Sequence, residues 1–267
     1  LASKLKLENL IICNNGNAFP MGSDYTKLNP DDYKFLEKFL DTTKANLFFA
    51  KGIILVEGWA EELLIPSISK NIGVNLTEKG ISIVNVGSLA YNRYANIFLR
   101  KEAPLMTIPI AILTDSDIRE YEKVQVGGES VYQKRDLVTI QAETNQKITD
   151  LKAKSENNVQ FFIAPNWTLE YSLFKSNSLT TTFQTNIKSI HTRTDWGTDF
   201  EKSLAEKLIN KGLNKTEIAY KIANDIDEDL KNHEEGKIVA KTINIVSDDE
   251  ADSINYLVKA IKYVTGN

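Results

Sequence analysis

The sequence predicts an α/β fold with a mainly parallel central sheet, and two observations support this prediction. From residue 51 to about residue 164, short apolar runs rich in β-branched residues alternate with segments of helical periodicity. Such alternation favours parallel strands joined by right-handed crossovers. Each apolar run is followed closely by an acid or by a Gly-Ser turn. Because open α/β sheets bind ligands at the carboxyl ends of their strands, this regularity indicates a functional site there.

The stretch from residue 51 to residue 67 contains the first strand of this sheet. Ile53 to Val56 is an apolar run typical of a strand buried on both faces, and a helix-forming sequence begins at Ala60. Glu57 ends the strand, and Glu61 projects from the first helical turn, close enough to share a cation with Glu57. Two acids at the rim of an apolar sheet cost free energy unless something positive binds them. The motif therefore predicts a metal site.

The remaining elements follow from periodicity and turn residues. An apolar face on the last helix is predicted to pack on the sheet or within a helical bundle. The predicted strands are Leu10–Cys13, Ile81–Val86, Ile108–Leu113 and Val159–Ala164; the predicted helices are Asp31–Leu40, Tyr91–Lys101 and Val131–Lys154, with a largely helical region from about residue 178 to residue 267.

The second half of the predicted site is the Asp-x-Asp pair Asp115 and Asp117, which follows the third strand of the sheet. Alternate residues of an extended segment point the same way, so both carboxylates are expected on one side, with Ser116 turned away. Two acids from each of two strand ends can bracket a pair of divalent ions about 4 Å apart. Each pair is a weak signal alone, and the two together are considerably stronger.

Composition limits the function classes. No apolar run approaches the ~20 residues of a membrane helix, and no signal-peptide pattern opens the chain. Cys13 is the only cysteine and there are two histidines, so an internal disulfide is excluded and carboxylates are the expected ligands of a hard cation. A cytoplasmic location is expected. The net charge of −4 argues against a sequence-specific DNA reader, but only weakly against an enzyme with an acidic metal site.

A family resemblance joins these motifs. The segments LVEGWAEELLIPSISKNIG, ISIVNVGS and IPIAILTDSD resemble the Toprim region of OLD-family (overcoming lysogenisation defect) nucleases, including Gabija-type relatives. The resemblance implies a Toprim (Rossmann-like) domain over residues 49–175 and a helical subdomain over 176–267. Residues 1–48 resemble the tail of an ABC-type ATPase domain with a connecting helix, and the rest of that ATPase is expected to have been removed by truncation. The chain has no Walker motif, so no ATP site is expected in it.

The resemblance also implies a mechanism, which is two-metal hydrolysis of a DNA phosphodiester. The implied metal ligands are Glu57, Glu61, Asp115, Asp117 and Glu170, of which Glu57 and Asp115 also count as catalytic. The implied ions are Mg²⁺ or Mn²⁺, with Ca²⁺ as a non-productive occupant. The family places a lysine near a helix start beyond the Toprim core, and the best match is Lys237, with Lys241 as the alternative. Ser88 is a candidate phosphate contact.

Several expectations concern partners and alternatives. DNA is the expected substrate, the missing ATPase is expected to dimerise and to regulate cutting, and a helicase-type partner protein and a role in defence against phage are implied as well. Two other functions stay open: another Toprim enzyme such as a primase or topoisomerase, and a non-catalytic metal-binding scaffold. Trp59 departs from the usual small or acidic residue at its position, and packing is favoured there over base stacking. The acids at 225–229 are expected on a solvated helix face, and Tyr171 and Trp196 in packed positions.

Overall fold

The computed structural model describes residues 5–87 and 91–267 and, within the first helix, only the backbone of residues 39–46. A four-stranded parallel sheet lies at its centre, in the order β4–β3–β5–β8. This order places β3 and β5, which precede the two predicted acid pairs, side by side. The strands of this sheet are β3 (Gly52–Val56), β4 (Ile81–Asn85), β5 (Ile110–Thr114) and β8 (Val159–Ile163). The predicted parallel sheet is confirmed.

Helices and two small hairpins complete the fold. The first hairpin pairs β1 (Ile11–Asn14) with β2 (Asn17–Pro20), and the second pairs β6 (Tyr121–Val126) with β7 (Glu129–Lys134). The helices are α1 (Pro30–Phe48), α2 (Trp59–Asn71), α3 (Leu76–Lys79), α4 (Tyr91–Asn96), α5 (Leu137–Lys152), α6 (Leu169–Lys175), α7 (Thr180–Ile190), α8 (Phe200–Ile209), α9 (Lys215–Glu234) and α10 (Asn255–Thr265).

The two faces of the sheet pack against different parts of the chain. As a result, β3 and β5 are buried along their whole length. On one face, Leu55 and Ile112 join a core that includes residues of the amino-terminal segment such as Leu36. On the other face, Ile54 joins a core formed with α2, α9 and α10. Gly52 marks the tightest approach, since a Cβ there would lie 2.7 Å from the carbonyl oxygen of Val264 in α10.

The predicted helix from Val131 to Lys154 is wrong in its first six residues. Residues 129–134 form β7 instead, and α5 begins only at Leu137, behind the capping carboxylate of Asp136. The reason lies in the turn, because Gly127 and Gly128 both have positive φ angles of 61° and 88°. Two adjacent residues in this conformation close a tight hairpin, which pairs the segments on either side.

The largely helical region after residue 178 is confirmed for α7 to α10, but the segment between α9 and α10 contains turns and no helix. Side chains of other elements make hydrogen bonds to the backbone of this segment. The Asn71 amide donates to the carbonyl of Ile243 and accepts from the amide of Ile245, at 2.9 and 3.0 Å. Asp229 accepts from the backbone amides of Thr242 and Ile243. These long-range bonds replace the local bonds of a helix. Among the described residues, no helix has the length and apolarity needed to cross a membrane.

A candidate metal centre at the carboxyl edge of the sheet

Glu57 directly follows β3, and its carboxylate lies at the carboxyl edge of the sheet. The hydroxyl of Thr114, the last residue of the neighbouring strand β5, donates a hydrogen bond to Oε1 of Glu57. Burial raises the pKa of Glu57 above its usual value, the Thr114 bond opposes that rise, and the charge of Asp117 adds to it. The parallel pairing of β3 with β5 therefore brings the first glutamate to the Asp-x-Asp segment.

Glu61 lies in the first turn of α2. A Cβ on Gly58 would lie 3.2 Å from Oε2 of Glu61, so the glycine leaves room for this carboxylate. Burial raises the pKa of Glu61 to about 7, and the charges of Glu170 and Glu57 add to the rise. Glu61 is thus a partly buried acid that interacts with other acids.

The Asp-x-Asp segment does not continue as an extended strand. Asp117 has a positive φ of 59°, and its amide donates to the carbonyl of Trp167, which itself has a φ of 32°, at 2.9 Å. Non-glycine residues in this conformation cost free energy and cluster at functional sites. The segment is therefore not extended at Asp117, but exposure still alternates along it, because Ser116 is fully buried between the partly buried Asp115 and the exposed Asp117.

Glu170 comes from α6, whose first residue follows the capping hydroxyl of Thr168. Its side chain keeps only 3% of its accessible surface, and its Oε2 lies 2.8 Å from Nζ of Lys215, the first residue of α9. Burial and the charges of Glu170 and Glu61 raise the pKa of Asp115 well above its usual value. The structure thus places Lys215, which the sequence analysis did not select, within the acid cluster.

All five predicted acids belong to one electrostatic cluster. Burial comes first among the causes that raise the pKa of Glu57, Glu61 and Asp115; among the charges, Asp117 is the largest contributor at Glu57, and Glu170 is the largest at Glu61 and Asp115. Carboxylates that raise one another's pKa values lack enough positive charge between them. Lys215 opposes the rise at all three acids, and at Glu57 Lys147 opposes it more strongly than Lys215 does.

The five carboxylates can be compared with the ligand set of a metal ion. Within the described ranges, no three acidic, histidine or cysteine side chains stand in positions that would hold an ion as they are. The donor set nevertheless fits a hard divalent cation, because it consists of carboxylates that repel one another at the rim of an apolar sheet. Two members are occupied within the protein, Glu57 by the Thr114 hydroxyl and Glu170 by the Lys215 ammonium. Each of these contacts uses one carboxylate oxygen and leaves the other for an ion, so coordination would require the acids to move closer together.

The structure does not bring Lys237 to this cluster. Lys237 lies beyond the end of α9, its side chain is 62% exposed, and its Nζ pairs with Glu235 at 2.6 Å. Lys241, the alternative, donates to the carbonyl of Asn71 at 2.7 Å. Ser88, the predicted phosphate contact, lies outside the described residues.

A signal for Lys215 was present in the sequence. The family pattern places its lysine near a helix start, and Lys215 follows Asn214, whose side chain accepts from the amide of Glu217. An Asn followed three residues later by a Glu is a helix-start signature. The same spacing occurs before Lys237, at Asn232 and Glu235, but there it falls at the end of α9, and no helix follows in the described residues until α10.

The remaining residues considered in the sequence lie outside the acid cluster or beside it, and most of them contact other parts of the protein. Tyr171 and Trp196 are buried, as predicted. Of the acids at 225–229, Glu228 is exposed as expected, but the three aspartates are partly buried: Asp225 accepts from Asn186, Asp227 pairs with Lys70, and Asp229 accepts from backbone amides of the segment after α9. Trp59 differs from the favoured packing interpretation, because its side chain is 64% exposed two residues after Glu57.

A parallel sheet that carries glutamates after one strand and an Asp-x-Asp segment after its neighbour defines the Toprim class of domain. Residues 48–117 match the family model described as "Overcoming lysogenization defect protein-like, TOPRIM domain". The chain therefore carries an OLD-like Toprim domain, and the resemblance found in the sequence is confirmed. Toprim domains generally bind divalent metal ions, and a domain of the OLD-like kind suggests a nuclease-type enzyme.

Two solved structures are similar to the chain. The C-terminal region of the Xanthomonas campestris pv. campestris OLD protein is 21% identical, with 83% of this chain and 95% of that chain covered and a TM-score of 0.47. The C-terminal region of the Burkholderia pseudomallei OLD protein is 22% identical, with 82% and 98% covered and a TM-score of 0.47. No protein with a curated description matches the chain.

Proposed function

We propose that this chain is a metal-dependent DNA endonuclease that hydrolyses phosphodiester bonds at the carboxyl edge of its parallel sheet. One observation supports the proposal most strongly: five carboxylates from four separate segments interact in one cluster, into which Lys215 reaches to pair with the buried Glu170. Carboxylates that repel one another and raise one another's pKa values are typical of functional sites. A purely structural cluster has no need of five acids.

Each acid has a proposed task. Glu57 and Asp117, which interact with each other, would hold one ion, and Glu61, Asp115 and Glu170 would hold a second. Mg²⁺ or Mn²⁺ bound there would activate a water and stabilise the leaving oxygen. The Thr114 hydroxyl fixes the orientation of Glu57. Lys215, whose side chain keeps 47% of its accessible surface, is accessible to a substrate phosphate and would neutralise charge that develops during cleavage.

The proposal extends to the biological setting that the OLD resemblance implies. A cytoplasmic enzyme of this kind would act with an ATPase domain that dimerises and regulates cutting, and with a helicase-type partner, in defence against phage. The match over residues 48–117 supports this setting only through the kind of domain it identifies.

Cleavage of supercoiled plasmid tests the activity. The chain would be incubated in Mg²⁺, Mn²⁺ or EDTA beside Asp115→Asn and Glu57→Gln variants, which keep the side-chain volume and remove the charge. Asp24→Asn, an exposed acid in the amino-terminal segment, is the matched control. We expect nicking or linearisation by the wild type and the control in either metal, and a loss of at least about 100-fold in the two site variants. Cleavage that survives Asp115→Asn, or that persists in EDTA, would refute the mechanism.

A further inference from the structure

A cavity of about 400 Å³ adjoins the acid cluster and is lined by four cations and no acid. The cations are Arg119, Lys207, Lys211 and Lys215. Cavities of about 300–1,000 Å³ are of the size that holds small ligands or parts of larger ones. Since the whole chain carries a net charge of −4, this concentration of positive charge is a local feature and not a reflection of composition.

The walls of the cavity come from the same segments that supply the site. Arg119 lies two residues after Asp117, in the loop that leaves β5. Thr168, on the second wall, caps the helix that carries Glu170. The third wall is the connection from α8 to α9, which ends at Lys215, and Lys215 itself pairs with Glu170. The cavity is therefore continuous with the acid cluster through Lys215.

Three of these cations are available to a ligand. Within residues 5–87 and 91–267, no ion pair is present for Arg119, Lys207 or Lys211, whereas Lys134 and Lys175 both pair with Glu201 of α8. Apolar side chains of Trp167, of the end of α8 and of Leu213 line the cavity and lower the local dielectric constant. Clefts lined by one sign of charge with such walls concentrate the field on an anion.

We propose that this cavity binds backbone phosphates of a DNA strand next to the phosphate that is cleaved, and that Arg119, Lys207 and Lys211 are its phosphate-binding residues. The inference rests on the proposed nuclease function and adds a path for the strand away from the acid cluster. Contacts of this kind supply affinity and position without sequence preference. They would offset the repulsion between DNA and the five carboxylates.

The experiment compares two double variants of the full chain. Lys207→Gln with Lys211→Gln removes two cations of the cavity. Lys202→Gln with Lys79→Gln is the matched control, because both lysines are exposed and neither lines the cavity, and Lys202 lies on the same helix as Lys207. Fluorescence anisotropy with a labelled duplex would be measured over a range of salt concentrations, with Ca²⁺ in place of Mg²⁺ and a gel to verify that the strand stays intact.

We expect the cavity variant to bind the duplex at least about tenfold more weakly, with the slope of log K against log salt reduced in magnitude by about 1 to 2. The control should match the wild type. Equal binding by the cavity variant and the control would overturn the inference while leaving cleavage and its dependence on Asp115 intact. A wild type that neither binds nor cuts DNA would refute the nuclease function itself.

Discussion

Lys215 Nζ lies 2.8 Å from Oε2 of Glu170, and this contact joins the first residue of α9 to the first turn of α6 within the acid cluster. Burial acts to lower the pKa of Lys215, but the charges of Glu170, Asp115 and Glu61 raise it above the usual value. The lysine therefore remains charged throughout the neutral range. A buried carboxylate without such a partner would be strongly unfavourable.

We expect Lys215→Ala to reduce plasmid cleavage by about 100- to 1,000-fold, which is the typical loss when one charge-stabilising donor is removed from an active site. Lys237→Ala should cleave at the wild-type rate, since Lys237 pairs only with the exposed Glu235. Initial rates at saturating metal would be measured for both. A greater loss in the Lys237 variant would restore the assignment made from the sequence.

A structural control is needed because Lys215→Ala leaves Glu170 buried without its partner. Thermal unfolding of each variant would be recorded with Mg²⁺ present. Lys215→Arg keeps the charge and should retain the melting temperature better than alanine does. If the alanine variant were unfolded, the arginine variant would show whether cleavage depends on the shape of the ammonium group.

Metal binding should change stability as well as activity. Five carboxylates repel one another in the metal-free protein, so Asp115→Asn should raise the metal-free melting temperature, and it should also remove most of the increase that Mg²⁺ or Mn²⁺ produces in the wild type. A ligand at about 100 times its Kd stabilises by about 2.7 kcal/mol. Scanning calorimetry in EDTA and in each metal measures both effects. A lower metal-free melting temperature for Asp115→Asn would show that its carboxylate is not under repulsion.

The sequence was sufficient for the parts of this protein that depend on local pattern. The runs ending at Val56 and Thr114 are buried along their length, and parallel pairing brings their following acids together. These strands were predictable because, in an α/β fold, a short apolar run followed by an acid is typical of a buried strand with a site at its carboxyl end.

The parts that the sequence could not determine depend on long-range contacts. The segment between α9 and α10 is held by Asn71, which lies some 170 residues earlier, and no periodicity indicates such a bond. Lys215 lies 45 residues from Glu170 in the chain, and its position depends on how α9 packs against α2. The hairpin after β5 was missed for a different reason, since its strands are largely exposed and contain no apolar run.

Trp59 gives a prediction about substrate contact. Its indole is 64% exposed at the carboxyl edge of the sheet, next to Glu57 and Gly58, and an exposed aromatic there can stack on a base. We expect Trp59→Ala to weaken binding of a single-stranded oligonucleotide by about 5- to 100-fold, with Trp59→Phe retaining most of the affinity, because stacking on an aromatic ring contributes about 1–3 kcal/mol per base.

The matched control for this prediction is Phe49→Ala. Phe49 is 83% exposed but lies before the amino end of β3, at the opposite edge of the sheet. Anisotropy measurements on the three variants would separate stacking from general surface hydrophobicity. Equal affinity of Trp59→Ala and the wild type would show that the Trp59 indole does not contact the substrate.

The pH dependence of stability should report on a second cluster, which ties the β6–β7 hairpin to the helical region. Glu201 of α8 accepts hydrogen bonds from Lys134, Lys175 and Tyr171 at 2.8, 2.7 and 2.6 Å. Burial alone would raise the pKa of Glu201, but these bonds lower it to about 2 from 4.5. A carboxyl whose pKa is lower in the folded protein stabilises it above the unfolded value, and this stabilisation is lost as the pH falls from about 4.5 to about 2.

We therefore expect Glu201→Gln to lose on the order of 2–3 kcal/mol of unfolding free energy near pH 7 and progressively less as the pH approaches 2, because protonation removes the same charge from the wild type. Urea unfolding between pH 2.5 and pH 7, values chosen to span about the range of this titration, measures the difference. Glu206→Gln, an exposed glutamate on the same helix, is the control and should parallel the wild type throughout. A constant difference between Glu201→Gln and the wild type across the whole range would mean that the glutamate contributes through packing, because only a charge interaction disappears when the carboxyl is protonated.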